Sequence, residues 1–128
     1  MITEDYVNPE TAKLLKGKGY KGPFDGYYND AGCVVDRPNV LLKEPKYQYY
    51  ERVSLYMAMK WLRETHNIFI AINIVSHTTV TMEQKYYFFK LYRNRKLYNF
   101  PLNDSVKLYF SYEEACESAI KYCLENLI

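Results

Sequence analysis

Apolar residues recur at helical spacing in a first long segment, which begins near residues 51–54 and ends by Asn67. Separations of three and four positions place these residues on one face of a helix. The apolar face consists of Leu55, Ala58, Met59, Trp61 and Leu62, with Thr65 beside them. Asparagine at the end of such a segment readily takes the left-handed conformation that terminates a helix. The pattern therefore predicts an amphipathic helix that stops at Asn67.

A second helical pattern runs to the last residues of the sequence. It starts at Ser111, which is followed three positions later by Glu114, a capping box in which each side chain satisfies a free backbone N–H. The apolar positions that follow are Ala115, Cys116, Ala119, Ile120, Cys123, Leu124 and Leu127. This segment is predicted to be a helix whose small residues allow close approach to a sheet.

A shorter helix is predicted near the start of the sequence. Asn8 is a favourable N-cap, and Pro9 suits the first helical position. Gly17 and Gly19 follow the apolar residues and are typical of a helix end. We expect this helix to dock against the rest of the protein.

Residues 24–35 predict a small β-hairpin. Tyr27-Tyr28 and Val34-Val35 flank the sequence Asn-Asp-Ala-Gly at residues 29–32, which is typical of a turn. Residues 36–46 contain two prolines around a Val-Leu-Leu sequence. That composition predicts an ordered loop packed by its own leucines, with a mobile flap as the alternative.

Alternation of β-branched and polar positions predicts a series of strands between the two long helices. The predicted strands are residues 68–74, 85–92, 96–100 and 106–110, with turns at residues 76–83 and 93–95. Strands that follow one another with short connections favour antiparallel pairing. The fold class is therefore α+β, with an antiparallel three- or four-stranded meander packed against two longer helices. A short N-terminal helix and the small hairpin complete a single domain of residues 1–128.

The strand at residues 85–92 is apolar on both of its faces. Successive side chains of a strand point to opposite sides. One side carries Tyr86, Phe88, Lys90 and Tyr92, and the other carries Tyr87, Phe89 and Leu91. If the helices cover only one side, the other leaves an exposed aromatic patch, which is typical of a partner surface.

Tyrosine is unusually frequent, with 15 residues among 128, against 6 Phe and 1 Trp. Its large ring and polar tip suit half-buried binding faces. The joint abundance of Tyr, Lys, Asn, Ile and Phe is also expected of an AT-rich genome, so coding bias is an alternative cause. The residues predicted to form an interaction surface are Tyr27, Tyr28, Tyr86, Tyr87, Tyr92, Arg93, Arg95, Lys96 and Tyr98.

Aromatic and basic residues interleave over residues 85–98, which is how some sheet domains stack and hold single-stranded nucleic acid. The stretch lacks the glycines of the RNP1 pattern, and the net charge of the chain is only +2. The basic residues Arg93, Arg95 and Lys96 also suit a solvated turn. Binding of RNA or single-stranded DNA is therefore the alternative function, not the first.

Residues with catalytic or metal-binding chemistry are sparse. Only two histidines, His66 and His77, occur, and none of the metal-ligand spacings accompanies them. Cys33 and His77 are the sole candidates for a nucleophile and its base, and a plain hairpin residue explains Cys33 better. Cys116 and Cys123 are expected to be buried free thiols. We expect no enzyme activity, no cofactor and no metal.

The longest apolar run, residues 68–72, is far shorter than the ~20 residues that a membrane-spanning helix needs. The acidic N-terminus does not have the pattern of a secretion signal. The odd number of cysteines fits a reducing compartment. These features predict a cytoplasmic protein with no membrane partner.

Three segments carry a resemblance to a known group of proteins. These are residues 10–15 (ETAKLL), 60–68 (KWLRETHNI) and 111–124 (SYEEACESAIKYCL). Their order resembles small proteins encoded by gut Bacteroidales and by their phages and mobile elements, a family to which no activity is assigned. The resemblance implies a context, a bacterial cytoplasm, and carries no function.

Together these features predict a non-enzymatic binding or accessory protein. We expect it to contact a protein partner, or a second copy of itself, through an aromatic face of the sheet.

Overall fold

The computed structural model describes residues 3–35, 48–98 and 107–128. In these ranges the helices are α1 (Pro9–Gly17), α2 (Leu55–His66) and α3 (Tyr112–Asn126). The strands are β1 (Tyr27–Tyr28), β2 (Val34–Val35), β3 (Tyr50–Glu51), β4 (Ile68–Thr78), β5 (Glu83–Arg93) and β6 (Lys96–Leu97). The class is α+β, as predicted. The predicted proline-containing loop at residues 36–46 lies outside the described residues.

Helices α1 and α3 begin at the polar caps that the sequence predicts, and α2 begins after Ser54, the last residue of its predicted start at residues 51–54. The side chain of Asn8 accepts a hydrogen bond from the N–H of Thr11 at 2.8 Å. Ser54 caps α2 and Ser111 caps α3 in the same way, each at 3.1 Å. Asn67 ends α2 in the left-handed conformation, with φ of 55°. Helix starts and stops are encoded locally, so these boundaries follow from neighbouring residues alone.

The predicted hairpin of β1 and β2 is confirmed and belongs to a sheet of the order β2-β1-β3. The Asn29 side chain accepts hydrogen bonds from the N–H groups of Ala31 and Cys33 and so fixes the turn. Strand β3 pairs antiparallel with β1, placing Tyr50 opposite Tyr28. A two-residue strand has no periodicity, and its partner is distant in sequence, so the pattern did not predict it.

The larger sheet has the order β4-β5-β6 and is the predicted antiparallel meander. Strands β4 and β5 pair without interruption from Ile68 opposite Arg93 to Thr78 opposite Glu83. The turn between them is shorter than the predicted residues 76–83, because polar residues near the tip continue the ladder in solvent. A turn with Asn94 and Arg95 at φ of 51° and 67° then leads into β6.

The last predicted strand, residues 106–110, is reduced in the described part to one antiparallel bridge. Tyr109 and Tyr87 exchange two backbone hydrogen bonds, at 2.7 and 2.8 Å. Residues 99–106, which include the ends of two predicted strands, lie outside the described residues.

One buried cluster contains residues from all of α1, α2 and α3 and from both sheets. On the large sheet, Ile68 and Leu91 are fully buried, and Ile70, Ile72 and Phe89 pack against the same cluster. Helices α2 and α3 both contact the large sheet. Since all these buried side chains share one side, we call it the helix side and the opposite side the outer face.

Candidate functional site

The outer face is built by alternate residues of the large sheet. Directly opposed residues of an antiparallel pair lie on the same side, so the pairing register defines the set. The outer face consists of Phe69, Ala71, Asn73 and Val75 of β4, Tyr86, Phe88, Lys90 and Tyr92 of β5, and Leu97 of β6. None of these residues belongs to the buried cluster or packs against it as a partly buried hydrophobic.

Large apolar side chains of the outer face remain exposed. Phe69 is 40% exposed, Val75 42% and Leu97 51%. Tyr86, Phe88 and Tyr92 are half-buried. Phe69 and Tyr92 are direct cross-strand neighbours, and Leu97 lies beside Tyr92 on the next strand. The outer face is therefore a partly exposed aromatic surface continuous across three strands.

Phe110 extends this surface beyond the strands. Its ring is 71% exposed, and its centroid lies 5.8 Å from that of Tyr86. The position follows from the bridge between Tyr109 and Tyr87, which holds the chain beside β5. A ring left this open at the edge of other rings adds apolar area without adding to the core.

Polar hydrogen-bond donors lie among the rings. Lys90 is the only charged residue of the outer face as defined above, is exposed, and lies opposite Ala71. Asn73 is opposite Phe88 and therefore diagonal to Lys90. Its amide nitrogen Nδ2 is buried and has no hydrogen-bond partner in the described part of the chain. The centre of the face thus offers one exposed cation, and an unpaired amide N–H is buried beside it.

The residues predicted for the larger sheet divide between its two sides. Tyr86 and Tyr92 lie on the outer face. Tyr87 lies on the helix side, with its ring 6.3 Å from that of Tyr112. Tyr98 packs against the buried cluster, and its ring lies 6.2 Å from that of Tyr122. Tyr87 and Tyr98 therefore do not belong to the outer face.

The predicted basic residues are exposed at the β5–β6 turn. Arg93 is opposite Ile68, a buried residue of the helix side, and Lys96 is opposite Arg93. Both side chains therefore leave the sheet on the helix side, away from Tyr92. Arg95 lies in the turn itself.

Tyr27 and Tyr28 belong to the small sheet and are separate from the outer face. Tyr28 is buried, and its hydroxyl donates to the backbone carbonyl of Val7 at 2.6 Å. Tyr27 is half-buried, with its ring 5.1 Å from that of Phe24. Tyr28 is thus a core residue, and we leave both tyrosines out of the proposed surface.

The surface predicted from the sequence lacks four residues that the structure places on or beside the outer face: Phe69, Val75, Leu97 and Phe110. Phe69 and Val75 alternate with isoleucines in a strand that is apolar throughout, so periodicity alone does not say which set faces the helices. The pairing register with β5 was the missing information.

The structure places some of the candidate metal ligands and nucleophiles. Among the described residues, no group of three or more His, Cys, Asp or Glu side chains is placed to hold a metal ion. Cys33 is exposed, while the side chain of His77 is outside the described part, so their pairing stays a prediction. Burial raises the pKa of Cys116 to about 11 and that of Cys123 to about 12. Both thiols are therefore protonated at neutral pH, as expected of buried structural cysteines.

Comparison with known proteins gives no relative: no protein-family model, curated protein or solved structure matches this chain. Within the described ranges, no helix has both the length and the apolar character required to span a membrane.

Proposed function

We propose that the protein is a non-enzymatic binding module that docks a segment of another protein on the outer face. The observation that carries this proposal is the partly exposed aromatic surface opposite the helices, which lies outside the buried cluster. Exposed apolar surface of this kind disfavours the free state in water, and a docked partner removes it from water.

The chemistry of the face defines the partner. Aromatic and aliphatic side chains surround the Lys90 ammonium and the Asn73 amide nitrogen. A segment with apolar residues around an aspartate or glutamate would cover the rings and give the exposed Lys90 ammonium an acceptor. Charge-assisted hydrogen bonds of this type fix the orientation of a partner as well as adding affinity.

The position of the basic residues favours protein over nucleic acid. Stacking of bases on Tyr86, Phe88 or Tyr92 requires phosphate contacts beside these rings. Arg93 and Lys96 leave the sheet on the opposite side, so Lys90 is the one basic side chain beside the rings of the outer face as defined above. Binding of RNA or single-stranded DNA is therefore the alternative that the peptide-selection experiment below must distinguish from protein binding.

An accessory role in a bacterial cell is the biological setting that we propose. It is supported by the resemblance of residues 10–15, 60–68 and 111–124 to proteins of gut Bacteroidales and their mobile elements.

Selection of random linear peptides displayed on phage tests the proposal. We expect enriched peptides to carry an acidic residue between apolar ones. Lys90→Glu should weaken their binding at least about tenfold, because a buried charge pair becomes a repulsion. Lys85→Glu is the matched control: it makes the same change of charge on the same strand, but on the helix side, and should leave affinity within about twofold.

Two results would contradict the proposal. One is equal loss of peptide binding in Lys90→Glu and Lys85→Glu, which would indicate a general effect of charge. The other is binding of single-stranded oligothymidine or oligouridine that falls with salt and with Arg95→Glu while no peptide is enriched. That outcome would assign the protein to the nucleic-acid alternative.

A further inference from the structure

Strand β4 forms an edge of the large sheet. In the described part of the chain it pairs with β5 only, in the order β4-β5-β6. Exposed edges are usually protected by charged residues, proline, bulges or a short strand, because free backbone groups can pair with another chain. Strand β4 has 11 residues (IFIAINIVSHT), with no Lys, Arg, Asp, Glu, Pro or Gly, and its register with β5 contains no bulge. It carries none of these protections.

The hydrogen bonds of β5 show which backbone groups of β4 face the open edge. Tyr98 N–H donates to the carbonyl of Leu91 at 2.8 Å, and Tyr87 is bonded to Tyr109. Odd-numbered residues of β5 therefore direct their backbone groups away from β4, and even-numbered residues direct theirs toward it.

The even-numbered residues of β5 are opposite odd-numbered residues of β4, as Phe88 is opposite Asn73. The backbone N–H and C=O groups of even-numbered β4 residues must then point away from β5. Among residues 3–35, 48–98 and 107–128, no strand pairs with this edge, where Ile70, Ile72, Ile74 and Ser76 present their backbone groups.

We propose that this edge pairs antiparallel with the β4 edge of a second copy of the chain. Because β4 has no formally charged side chain, a second β4 meets no like charge in any register. Lys90 is one strand further in, so two copies of Lys90 would be separated by three strand spacings, about 14 Å, which exceeds the screening length of ~8 Å at physiological salt. Stacking of two outer faces would instead bring the lysines together.

The same geometry closes the assembly at two copies. The opposite edge of the large sheet is occupied by β6 and by the bridge at Tyr109. A two-fold axis beside β4 then uses the long open edges of both copies, and the opposite edge offers a third copy only the two residues of β6 in the described part of the chain. The two outer faces would form one continuous surface on a six-stranded sheet.

The length of β4 sets the expected strength of the association between two copies. An edge of 11 residues spans about 36 Å at ~3.3 Å per residue, and a sheet is ~10 Å thick. The contact is then about 360 Å² per copy, or about 700 Å² in total, below the ~1,200 Å² of stable interfaces. Self-pairing through β4 should therefore be weak and depend on concentration.

Amide hydrogen exchange followed by NMR, together with sedimentation equilibrium, tests this proposal. The amides of Ile70, Ile72, Ile74 and Ser76 should exchange freely in dilute samples. At concentrations where sedimentation shows a dimer, they should slow by at least about tenfold. The amides of Ala71 and Asn73 bond to β5 in both states and serve as internal controls.

Variants at Ser76 separate edge pairing from other contacts. Ser76→Pro removes an edge-facing N–H without removing a β4–β5 hydrogen bond, and should give a folded monomer. Ser76→Thr keeps the N–H and should still dimerise.

The proposal is overturned if the even-numbered amides exchange freely at every concentration, or if Ser76→Pro remains dimeric. If Ser76→Pro does not fold, the exchange pattern of the unaltered protein decides alone. Neither outcome depends on peptide binding by the outer face, so this proposal and the proposed function can fail separately.

Discussion

At the residue scale, a half-buried contact between α1 and α3 contains a carboxyl group with one unpaired oxygen. Glu117 Oε1 accepts hydrogen bonds from the Thr11 hydroxyl at 2.5 Å and the Asn8 N–H at 3.1 Å. Its other oxygen, Oε2, is buried and has no partner in the described part of the chain. Burial raises the pKa of Glu117, against the opposing effects of those hydrogen bonds and of Lys121, while Glu10 raises it further. The contact therefore joins two helices at an electrostatic cost.

The raised pKa of Glu117 predicts that this residue makes the free energy of unfolding depend on pH. Glu117→Gln should remove that contribution. The folded pKa lies above the ordinary value of 4.5, so the folded state holds the proton more tightly than the unfolded state. The contribution of Glu117 to stability therefore increases as pH falls through the raised pKa and is lost as pH rises through it. Urea unfolding of both proteins across this range gives the difference in free energy of unfolding.

The Gln variant keeps an oxygen acceptor for Thr11 and Asn8 and serves as its own structural control. Its stability relative to the unaltered protein should rise with pH between the ordinary pKa of 4.5 and the raised one. A relative stability that falls with pH over this window would show that the charged form is the stabilised one.

At the element scale, the sequence predicts those helices and strands whose ends are determined by neighbouring residues. Ser54, Asn67 and Ser111 each fix a helix boundary through a neighbouring backbone group, and all three boundaries were predicted. The ends of β4 and β5 were placed too far from the turn, because Ser76 and Thr78 are polar yet remain paired. Strand β3 depends on β1, more than twenty positions away, and could not be predicted from its own residues.

The β5–β6 turn contains a residue that works against its own conformation. Asn94 and Arg95 both have positive φ, the combination that favours Asn-Gly in two-residue hairpin turns. Arg95→Gly should therefore raise the free energy of unfolding by about 1 kcal/mol, since a side chain in this conformation costs ~1–2 kcal/mol. Lys96→Gly, at the next position but in the strand, should lower it. If both changes alter the free energy of unfolding in urea equally, backbone strain at Arg95 is not the cause.

At the scale of the whole molecule, the two sides of the large sheet differ in burial. Its helix side carries Ile68 and Leu91 into the core, while its outer face keeps Phe69 and Val75 partly exposed. The sequence predicted that both sides of the second long strand are aromatic. It could not say which side the helices cover, because that depends on contacts among α2, α3 and the sheet. Tyr87 and Tyr98 were assigned to the surface for this reason.

Chemical-shift mapping of the protein with a selected acidic peptide is the most direct measurement of where a partner binds. We expect the largest changes at the Asn73 side-chain amide and at residues of the outer face, including Phe88 and Lys90. The small sheet, with Tyr27 and Tyr50, should change little. Largest changes in the small sheet, with the Asn73 amide unaffected, would contradict the claim that the outer face is the binding surface.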